Sequence, residues 1–317
     1  MKSLFLSSLL ALGLLAVPAQ AAEYPAKPIT LMTAFNAGGG SDVSHRLLEK
    51  FAKGVFDQPI VVTYKAGAGG EIGWTWLVGA KADGYTIGGV DLPHIVLQPM
   101  LRPEGQPGYK TEQLSPLCGL VYDANVVMVP EDGPYKTFKD LIEYAKANPG
   151  KVKVATVGKL TGDHLFLMQI EKLTGAKFTQ VPYSGSGKAI PALLSGEVDA
   201  YFGSGSSFLR MEKTRGLAIG SKERYELCPD VPTFIEQGYA IESGKYRGLA
   251  TPQNIPAEAR QYLETKFAEL CANPEYQKAV KSSGLMPQFQ TGKAFGEIIR
   301  TEGEQAQKIL EAYGLLK

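Results

Sequence analysis

The sequence predicts an α/β fold with a mainly parallel sheet, and two features of the chain favour it. Short runs of β-branched and aromatic residues alternate with amphipathic stretches of helical period. Several of these runs are followed by turns of glycine, serine and threonine that open the next helical stretch. Repeated strand–turn–helix units are typical of parallel strands whose connecting helices cover the faces of the sheet.

The N-terminal third contains this unit twice. The apolar run 29–35 leads through the turn 36–42, with three consecutive glycines, into an amphipathic stretch over 42–55. The second unit consists of strand 60–64, turn 65–70, helix 71–82 and strand 85–90. Glycines let backbone approach a ligand closely, and the following helix points free N–H groups and its positive dipole end at the turn. The turn 36–42 therefore predicts an anion site that needs no lysine or arginine.

The middle of the chain repeats the pattern. Strands are predicted over 151–157, 177–183, 198–203 and 217–220, and helices over 164–173 and 189–194. Small polar loops follow three of the strands, at 158–163, 184–187 and 204–207. Ligands of open α/β sheets bind at such carboxyl ends, so these loops are candidate contacts.

The C-terminal part is predicted to be mainly helical. A proline-containing segment, 252–256, precedes helical runs over 257–271, 274–282 and 292–313. No catalytic motif stands out there, so we expect these helices to pack on the sheet.

The first residues predict export. A short basic start is followed by an apolar run over 4–17 and by Ala19-Gln20-Ala21, the small-x-small pattern of a signal-peptide cleavage site. Cleavage after Ala21 or Ala22 would leave a soluble mature chain, because no later segment is long and apolar enough to cross a bilayer. Loss of the leader leaves 32 basic and 32 acidic residues. A chain with this charge balance is not expected to bind nucleic acid or an anionic membrane surface through its net charge.

Neither a metal nor a cofactor is predicted. The histidines His45, His94 and His164 are scattered, and metal sites need clustered ligands. The three cysteines have no metal-like spacing. One disulfide with a free thiol and three buried thiols both remain open.

Three segments resemble enzyme motifs but depart from them. The segment 67–73 follows a strand, and Asp91 lies where a ribose-binding acid would, but Ile72 replaces the third glycine of a dinucleotide turn. The pair 187–188 lacks the earlier glycine and the following Ser/Thr of a P-loop. Neither Ser204 nor Ser206 has the flanking glycines of a nucleophile elbow. We therefore predict a binding protein and not an enzyme, in which amides and hydroxyls hold a carboxylate without a buried counter-cation.

Seven short motifs in order resemble one family over the whole mature chain. They are Tyr24-Pro25-Ala26-Lys27-Pro28-Ile29, Gly38-Gly39-Gly40-Ser41-Asp42, Pro59-Ile60-Val61-Val62, Gly67-Ala68-Gly69-Gly70, Asp83-Gly84-Tyr85-Thr86, Val181-Pro182-Tyr183-Ser184-Gly185-Ser186-Gly187 and Asp230-Val231-Pro232-Thr233. The chain thus resembles the periplasmic solute-binding proteins of tripartite tricarboxylate transporters, the Bug or TctC family.

The resemblance implies a two-lobed clamshell of the type II-like periplasmic binding protein class, each lobe a mixed, mainly parallel sheet flanked by helices. After the signal peptide over 1–22, it implies a first lobe of 23–122 and 246–317, and a second lobe of 123–245. By lobe closure the protein would capture a small carboxylate, above all a dicarboxylic acid, aliphatic or aromatic. A monomer would then deliver the acid to membrane subunits of the transporter.

The same resemblance implies two sets of ligand contacts. The first-lobe set is Phe35, Asn36, Gly38, Gly39, Gly40, Ser41 and Asp42, with Ala68 nearby. The second-lobe set is Thr156, Thr161, His164, Tyr183 and the 204–207 loop with Gly205 and Ser206.

The chain departs from the family pattern at a few positions. Asn36 stands where relatives usually have proline, and its amide could alter specificity. Lys159 and Arg247 could add a cation to the cleft, although a solvated lysine and a structural arginine are the plainer expectation. Two other functions stay open at this point: an exported α/β hydrolase that uses a loop serine, and a sensor module that presents its ligand to a receptor.

Overall fold

The computed structural model describes residues 23–102, 108–159 and 161–316. The predicted signal peptide lies outside the described residues. The strands are β1 (Ile29–Thr33), β2 (Ile60–Tyr64), β3 (Thr86–Asp91), β4 (Leu114–Pro130), β5 (Lys153–Val157), β6 (Thr179–Tyr183), β7 (Ala200–Ser204), β8 (Thr214–Ile219), β9 (Gly244–Pro252) and β10 (Met286–Thr291). The helices are α1 (Gly40–Phe51), α2 (Glu71–Val78), α3 (His94–Leu101), α4 (Phe138–Ala147), α5 (Gly162–Thr174), α6 (Ser186–Leu194), α7 (Gly205–Phe208), α8 (Ala257–Ala272), α9 (Pro274–Ser282) and α10 (Gly292–Ala312).

Two groups of parallel strands form the halves of the sheet. In the first, β1 lies between β2 and β3 and is parallel to both. In the second, β5 lies between β6 and β7, again parallel. The predicted strand–turn–helix units therefore bring two sets of strand ends, each followed by a helix, to the sheet edges where ligands bind.

Two long antiparallel strands join these groups. β4 has 17 residues; its first part pairs with β9 and β10, and its last part pairs with β7 and β8. Within the β4–β9 pair, Asp123 is opposite Lys245 and Val121 is opposite Arg247. Because β9 lies between β3 and β4, and β4 continues into the second half, these charged residues lie between the halves.

Two of the hydrophobic clusters of the core are divided in the same way. In the first half, α8 and α9 pack on the N-terminal strands, with Phe56 and Phe267 ring centroids 5.0 Å apart. In the second half, Phe138, Phe166 and Phe234 meet edge to face. The C-terminal helices thus pack on the N-terminal third of the chain, as expected. No helix in the described ranges is long and apolar enough to span a membrane.

Several helices begin at residues other than those predicted from the sequence. Helix α1 begins at Gly40 and not at Asp42, because Gly39 has the extended backbone of an N-cap residue. Helix α5 begins at Gly162, so the loop after β5 is shorter than predicted. The 204–207 loop is mostly the short helix α7. Helices therefore start closer to the strand ends than the sequence pattern indicates.

Candidate functional site

A small cavity lies where strand ends from both halves of the sheet approach β9. It is lined by Phe35, Asn36, Gly39, Gly40, Ser41, Asp91, His94, Val157, Asp163, Gly185, Ser186, Tyr201, Ser204, Lys245 and Arg247. Its volume is about 40 Å³. That is roughly three times the space that one buried water needs. Without further opening, the cavity therefore admits only a short molecule.

The glycine-rich turn presents the N-terminus of α1 to this cavity. The left-handed residue is Gly38, with φ +84°; its N–H donates to Asp42 Oδ2 at 2.8 Å. The other oxygen of Asp42 accepts from the Tyr64 hydroxyl at 2.5 Å. No side chain caps α1 at Gly39. The first-turn amides of α1 therefore remain available, at the positive end of the helix dipole.

Arg247 lies buried against this turn. Its Nη1 is 2.6 Å from Asp123 Oδ2, and its Nε is 3.0 Å from Asp91 Oδ1. A Cβ on Gly40 would lie 2.6 Å from Nη2 and 2.8 Å from Cζ of Arg247. Gly40 is therefore required by the close approach of the arginine. Arg247 is both a structural arginine and a cation in the cleft.

Lys245 occupies the neighbouring position on the same face of β9. Its Nζ lies 2.6 Å from Asp163 Oδ1 and 2.6 Å from Asn125 Oδ1. The other Asp163 oxygen accepts from the Val157 amide at 3.0 Å. The start of α5 is thus bound to Lys245. Lys159, the other predicted cation, is exposed and does not line the cavity.

The second half closes the cavity with the start of α6. A Cβ on Gly39 would lie 3.3 Å from Ser186 Oγ. Asn36 Nδ2 donates to Ser184 Oγ at 3.0 Å, and an Arg210 N–H donates to the Gly38 carbonyl at 3.3 Å. The halves are therefore in direct contact around the cavity, with two helix N-termini facing each other across it.

Burial and the nearby charges together shift the pKa values of the polar groups here. It raises the pKa of Asp91, although Arg247 and a hydrogen bond from Ser41 oppose that shift. Burial alone would raise the pKa of Asp123 as well, but Arg247, Lys245 and Ser206 bring it below its ordinary value. Burial and the two nearby cations lower the pKa of His94 well below its ordinary value. His94 is therefore neutral at neutral pH.

The structure brings five of the sequence-predicted contacts together on the cavity wall: Phe35, Asn36, Gly39, Gly40 and Ser41. The others lie outside it: Gly38, Asp42, Ala68, Thr156, Thr161, His164, Tyr183, Gly205 and Ser206. Thr161 donates to the Val157 carbonyl at 2.7 Å, Tyr183 donates to Glu197 at 2.8 Å, and Thr156 accepts from Gln180 at 2.8 Å. Ser206 donates to Asp123 through its amide and its hydroxyl. These groups bind the protein itself.

Sequence reasoning missed several polar side chains that line the cavity: Asp91 as a contact, His94, Asp163 and Lys245. Ser186 and Ser204 do fall within loops that were predicted as candidates. One signal was available for Lys245: it lies two residues before Arg247, so both project from the same face of a strand. Its partner Asp163 is distant in sequence, and only the folded chain brings the two together.

A larger groove of about 460 Å³ lies between β4, β9, α5 and α10. Among the described residues, Glu242, Glu297 and Glu302 line it, and no lysine or arginine does. Burial, with the charge of Glu242, raises the pKa of Glu302. Such a lining repels a carboxylate, so the smaller cavity is the better candidate for binding one.

Known proteins of one family are similar to this chain in sequence and in fold. The tripartite tricarboxylate transporter family receptor model, TctC, matches residues 45–315. Protein BugT of Bordetella pertussis is 35% identical over 87% of this chain and 86% of its own. A UPF0065 protein of Cupriavidus necator is 30% identical, covering 97% of this chain and 94% of its own. The structure of the periplasmic binding protein BugD, 26% identical, superposes with a TM-score of 0.85 over 93% of this chain and 100% of its own.

These likenesses confirm the predicted fold class, a two-lobed periplasmic binding protein with α/β lobes. They also confirm that the chain is a solute-binding protein and not an enzyme. The chain belongs to the tripartite tricarboxylate transporter receptor family, TctC, which includes the Bug proteins.

Proposed function

We propose that this protein captures a small dicarboxylic acid in the periplasm and delivers it, as a monomer, to the membrane subunits of a tripartite tricarboxylate transporter. One observation carries the proposal: the uncapped first turn of α1 and the first turn of α6 face each other across one cavity. Each first turn offers amide N–H groups and a positive dipole end. A ligand with a carboxylate at each end would engage both.

Lobe closure is the proposed mechanism. Residues 23–122 and 246–317 would form one lobe and 123–245 the other, with the β4–β9 pair as hinge. Two large hydrophobic clusters, each made of residues from one half alone, support this division. Because the ligand contacts both lobes, it binds the closed form better and shifts the population toward it. Asn36 would contribute to closure, since its amide bonds to Ser184 across the lobes.

The fold can enclose such an acid. Structures of Rpa4515 of R. palustris with adipate and of MatC from Rhodopseudomonas palustris with malate superpose with TM-scores of 0.86 and 0.84. At 23% and 22% sequence identity, these similarities are evidence for the fold alone. The small volume of the cavity favours a short acid over a long one.

Calorimetric titration with mono-, di- and tricarboxylates of two to eight carbons tests the proposal. We expect the tightest binding from a short dicarboxylate. Tight binding of a neutral or cationic ligand, with no carboxylate bound, would contradict it. N-terminal sequencing of the exported protein tests the leader, with cleavage expected after Ala21 or Ala22. Uptake of the bound acid by cells with and without the protein tests delivery.

A further inference from the structure

We propose that a second site, on the opposite face of the β4–β9 pair from the carboxylate cavity, binds a small organic cation. The site is the groove between β4, β9, α5 and α10, called here the acidic groove. Its ligand carries an ammonium or guanidinium group. The proposal concerns another surface and another class of ligand, so it does not depend on the proposed function.

The acidic groove and the cavity lie on opposite faces of β9. Successive side chains of a strand point to opposite faces, so Tyr246 points away from Lys245 and Arg247, which line the cavity. Tyr122 is directly opposite Tyr246 in the strand pair, and their ring centroids lie 4.9 Å apart. Both rings line the acidic groove. Among the described residues, none lines both sites.

A carboxylate without a cation is the first argument. Glu302 on α10 is half-buried in the acidic groove and makes no ion pair within the described residues. Burial and the charge of Glu242 raise its pKa. The two other glutamates have exposed partners: Glu297 lies 3.0 Å from Arg300, and Glu242 lies 4.0 Å from Lys222. Burial makes the ionised form of Glu302 costly, and a bound cation would offset that cost.

Unpaired hydrogen-bonding atoms are the second argument. Gln169 Oε1, on α5, is buried and has no hydrogen-bond partner in the described ranges, and Gln169 lines the groove. A wider groove of about 790 Å³ adjoins the first one, and Tyr122, Glu242 and Tyr246 line both. Tyr225 lines the wider groove and is 7% exposed, and its hydroxyl is likewise unpartnered among those residues. Buried polar atoms are normally satisfied, so these two point to a ligand that supplies donors.

The tyrosine pair supplies the remaining contact. The face of an aromatic ring attracts a cation within roughly 6 Å of the ring centroid. Tyr122 lies so close to Gly244 that a Cβ there would overlap its ring. The groove volume of about 460 Å³ falls within the roughly 300–1,000 Å³ of small-molecule sites. Carboxylates beside aromatic faces match an ammonium or guanidinium ligand and not an acid.

The walls of the acidic groove come from both halves of the molecule. Leu165 and Gln169 of α5 lie on one side, and Ile298 and Glu302 of α10 lie on the other. A ligand that contacts both helices favours the arrangement that the structure shows, in which the halves touch across the cavity. A bound cation should therefore raise the affinity of the carboxylate cavity, and the coupling is reciprocal.

Calorimetric titration at neutral pH with putrescine, a diamine, tests the site, and butanediol of the same chain length is the uncharged match. We expect putrescine to bind and butanediol not to bind. Glu302→Gln should weaken putrescine binding by about tenfold or more. Glu304→Gln is the control on the same helix, because Glu304 does not line the acidic groove, and it should change the affinity by less than about twofold. Tyr122→Leu, the second variant, should weaken binding severalfold.

Equal binding of putrescine and butanediol would overturn the site. An equal loss of affinity in the Glu302→Gln and Glu304→Gln proteins, or unchanged affinity in a folded Glu302→Gln protein, would also overturn it. Tighter binding of N-acetyl-lysine methylamide than of putrescine would overturn the assignment to a free cation in favour of a lysine side chain of a partner protein.

The coupling is measured by titrating putrescine again with the tightest-binding carboxylate present. A gain in putrescine affinity of about threefold or more is expected, and unchanged affinity would overturn the coupling. Failure of every carboxylate to bind would contradict the proposed function and leave the result with putrescine alone standing.

Discussion

Two strand-to-helix turns of this protein have the same local pattern and different roles. The turn 36–42 precedes α1 and the loop 158–163 precedes α5, and each places glycine and a first-turn aspartate at the helix start. Four residues of the first turn, Asn36 and Gly39 to Ser41, line the cavity. The second presents the Asp163 carboxylate instead, already paired with Lys245.

The difference arises from where each aspartate finds its partners. Asp42 bonds back to the Gly38 amide and to Tyr64, so it leaves the first turn of α1 open. Asp163 accepts a hydrogen bond from the Val157 amide and forms an ion pair with Lys245. The space beside the start of α5 is therefore occupied by the Lys245 side chain. A glycine turn at a strand end is therefore an anion site only where tertiary contacts leave its amides free.

The largest expected effect is a loss of stability when Lys245, the partner of Asp163 in the 158–163 loop, is replaced. Lys245→Met leaves Asp163 buried without its cation, and breaking a buried pair in this way costs about 3–5 kcal/mol. Urea unfolding followed by circular dichroism measures the loss. Lys281→Met is the control, because the Lys281–Glu226 pair is exposed and such pairs contribute about 0–1 kcal/mol. Equal losses in the two variants would contradict the role given to Lys245.

The next largest effect is a loss of ligand affinity when the turn 36–42 is altered. Gly39→Val should reduce ligand affinity by about a hundredfold or more, or roughly 2.7 kcal/mol, because the side chain would press on Ser186 across the cavity. The backbone of Gly39, with φ −83°, suits any residue. The free energy of unfolding should therefore change by less than about 1 kcal/mol. Calorimetry gives the affinity, and Gly296→Val on α10 is the control. Unchanged affinity would remove the turn from the site.

The histidines of the two helices give a prediction for pH. Burial, reinforced by Arg247, lowers the pKa of His45 on α1 to about 3. Burial also lowers the pKa of His164 on α5, which is only partly buried. Below the ordinary histidine pKa of about 6.5 the unfolded state binds the proton and the folded state does not. The stability due to His45 is therefore full above that pH and is lost as the pH falls toward 3.

For one group the slope of that loss is at most about 1.4 kcal/mol per pH unit. His45→Gln should flatten the dependence of the free energy of unfolding on pH between about 6.5 and 4, and His164→Gln should flatten it less. Denaturant titrations at several pH values measure both slopes. A slope unchanged by His45→Gln would contradict the assignment.

The smallest expected effect is a modest loss of stability from a change in the 158–163 loop before α5. Thr161→Val removes the hydrogen bond to the Val157 carbonyl and should cost about 1 kcal/mol of stability. Ligand affinity should stay within about twofold, or roughly 0.4 kcal/mol, because Thr161 does not line the cavity. A tenfold loss of affinity with little change in stability would show that this turn contacts ligand after all.

The sequence was most informative where structure is local. Helix α9 begins and ends at the predicted residues, Pro274 and Ser282, because Asn273 and Pro274 are strong start signals. Helix α4 was not predicted, although Thr137 and Asp140 form a capping box that is visible in the sequence. Strand β4 was not predicted either. Pro116, Gly119 and Asp123 interrupt its apolar pattern, and its two ends belong to different halves of the sheet.

The site could be predicted only in part, for a physical reason. Gly39, Gly40 and Ser41 were predicted as contacts because a glycine-rich turn between a strand and a helix is visible in the local sequence. The pairs Lys245–Asp163 and Arg247–Asp91 join residues that lie far apart in the sequence. No single segment contains the information that they meet. The arrangement of the charged side chains that line the cavity is therefore a property of the fold.

A crystal structure of the protein with the tightest-binding carboxylate tests the central claim most directly. The account predicts one ligand carboxylate within hydrogen-bond distance of the Gly39–Ser41 amides, and Lys245 still paired with Asp163. A ligand carboxylate bound at the start of α5, with the Lys245–Asp163 pair broken and the α1 amides unoccupied, would contradict it.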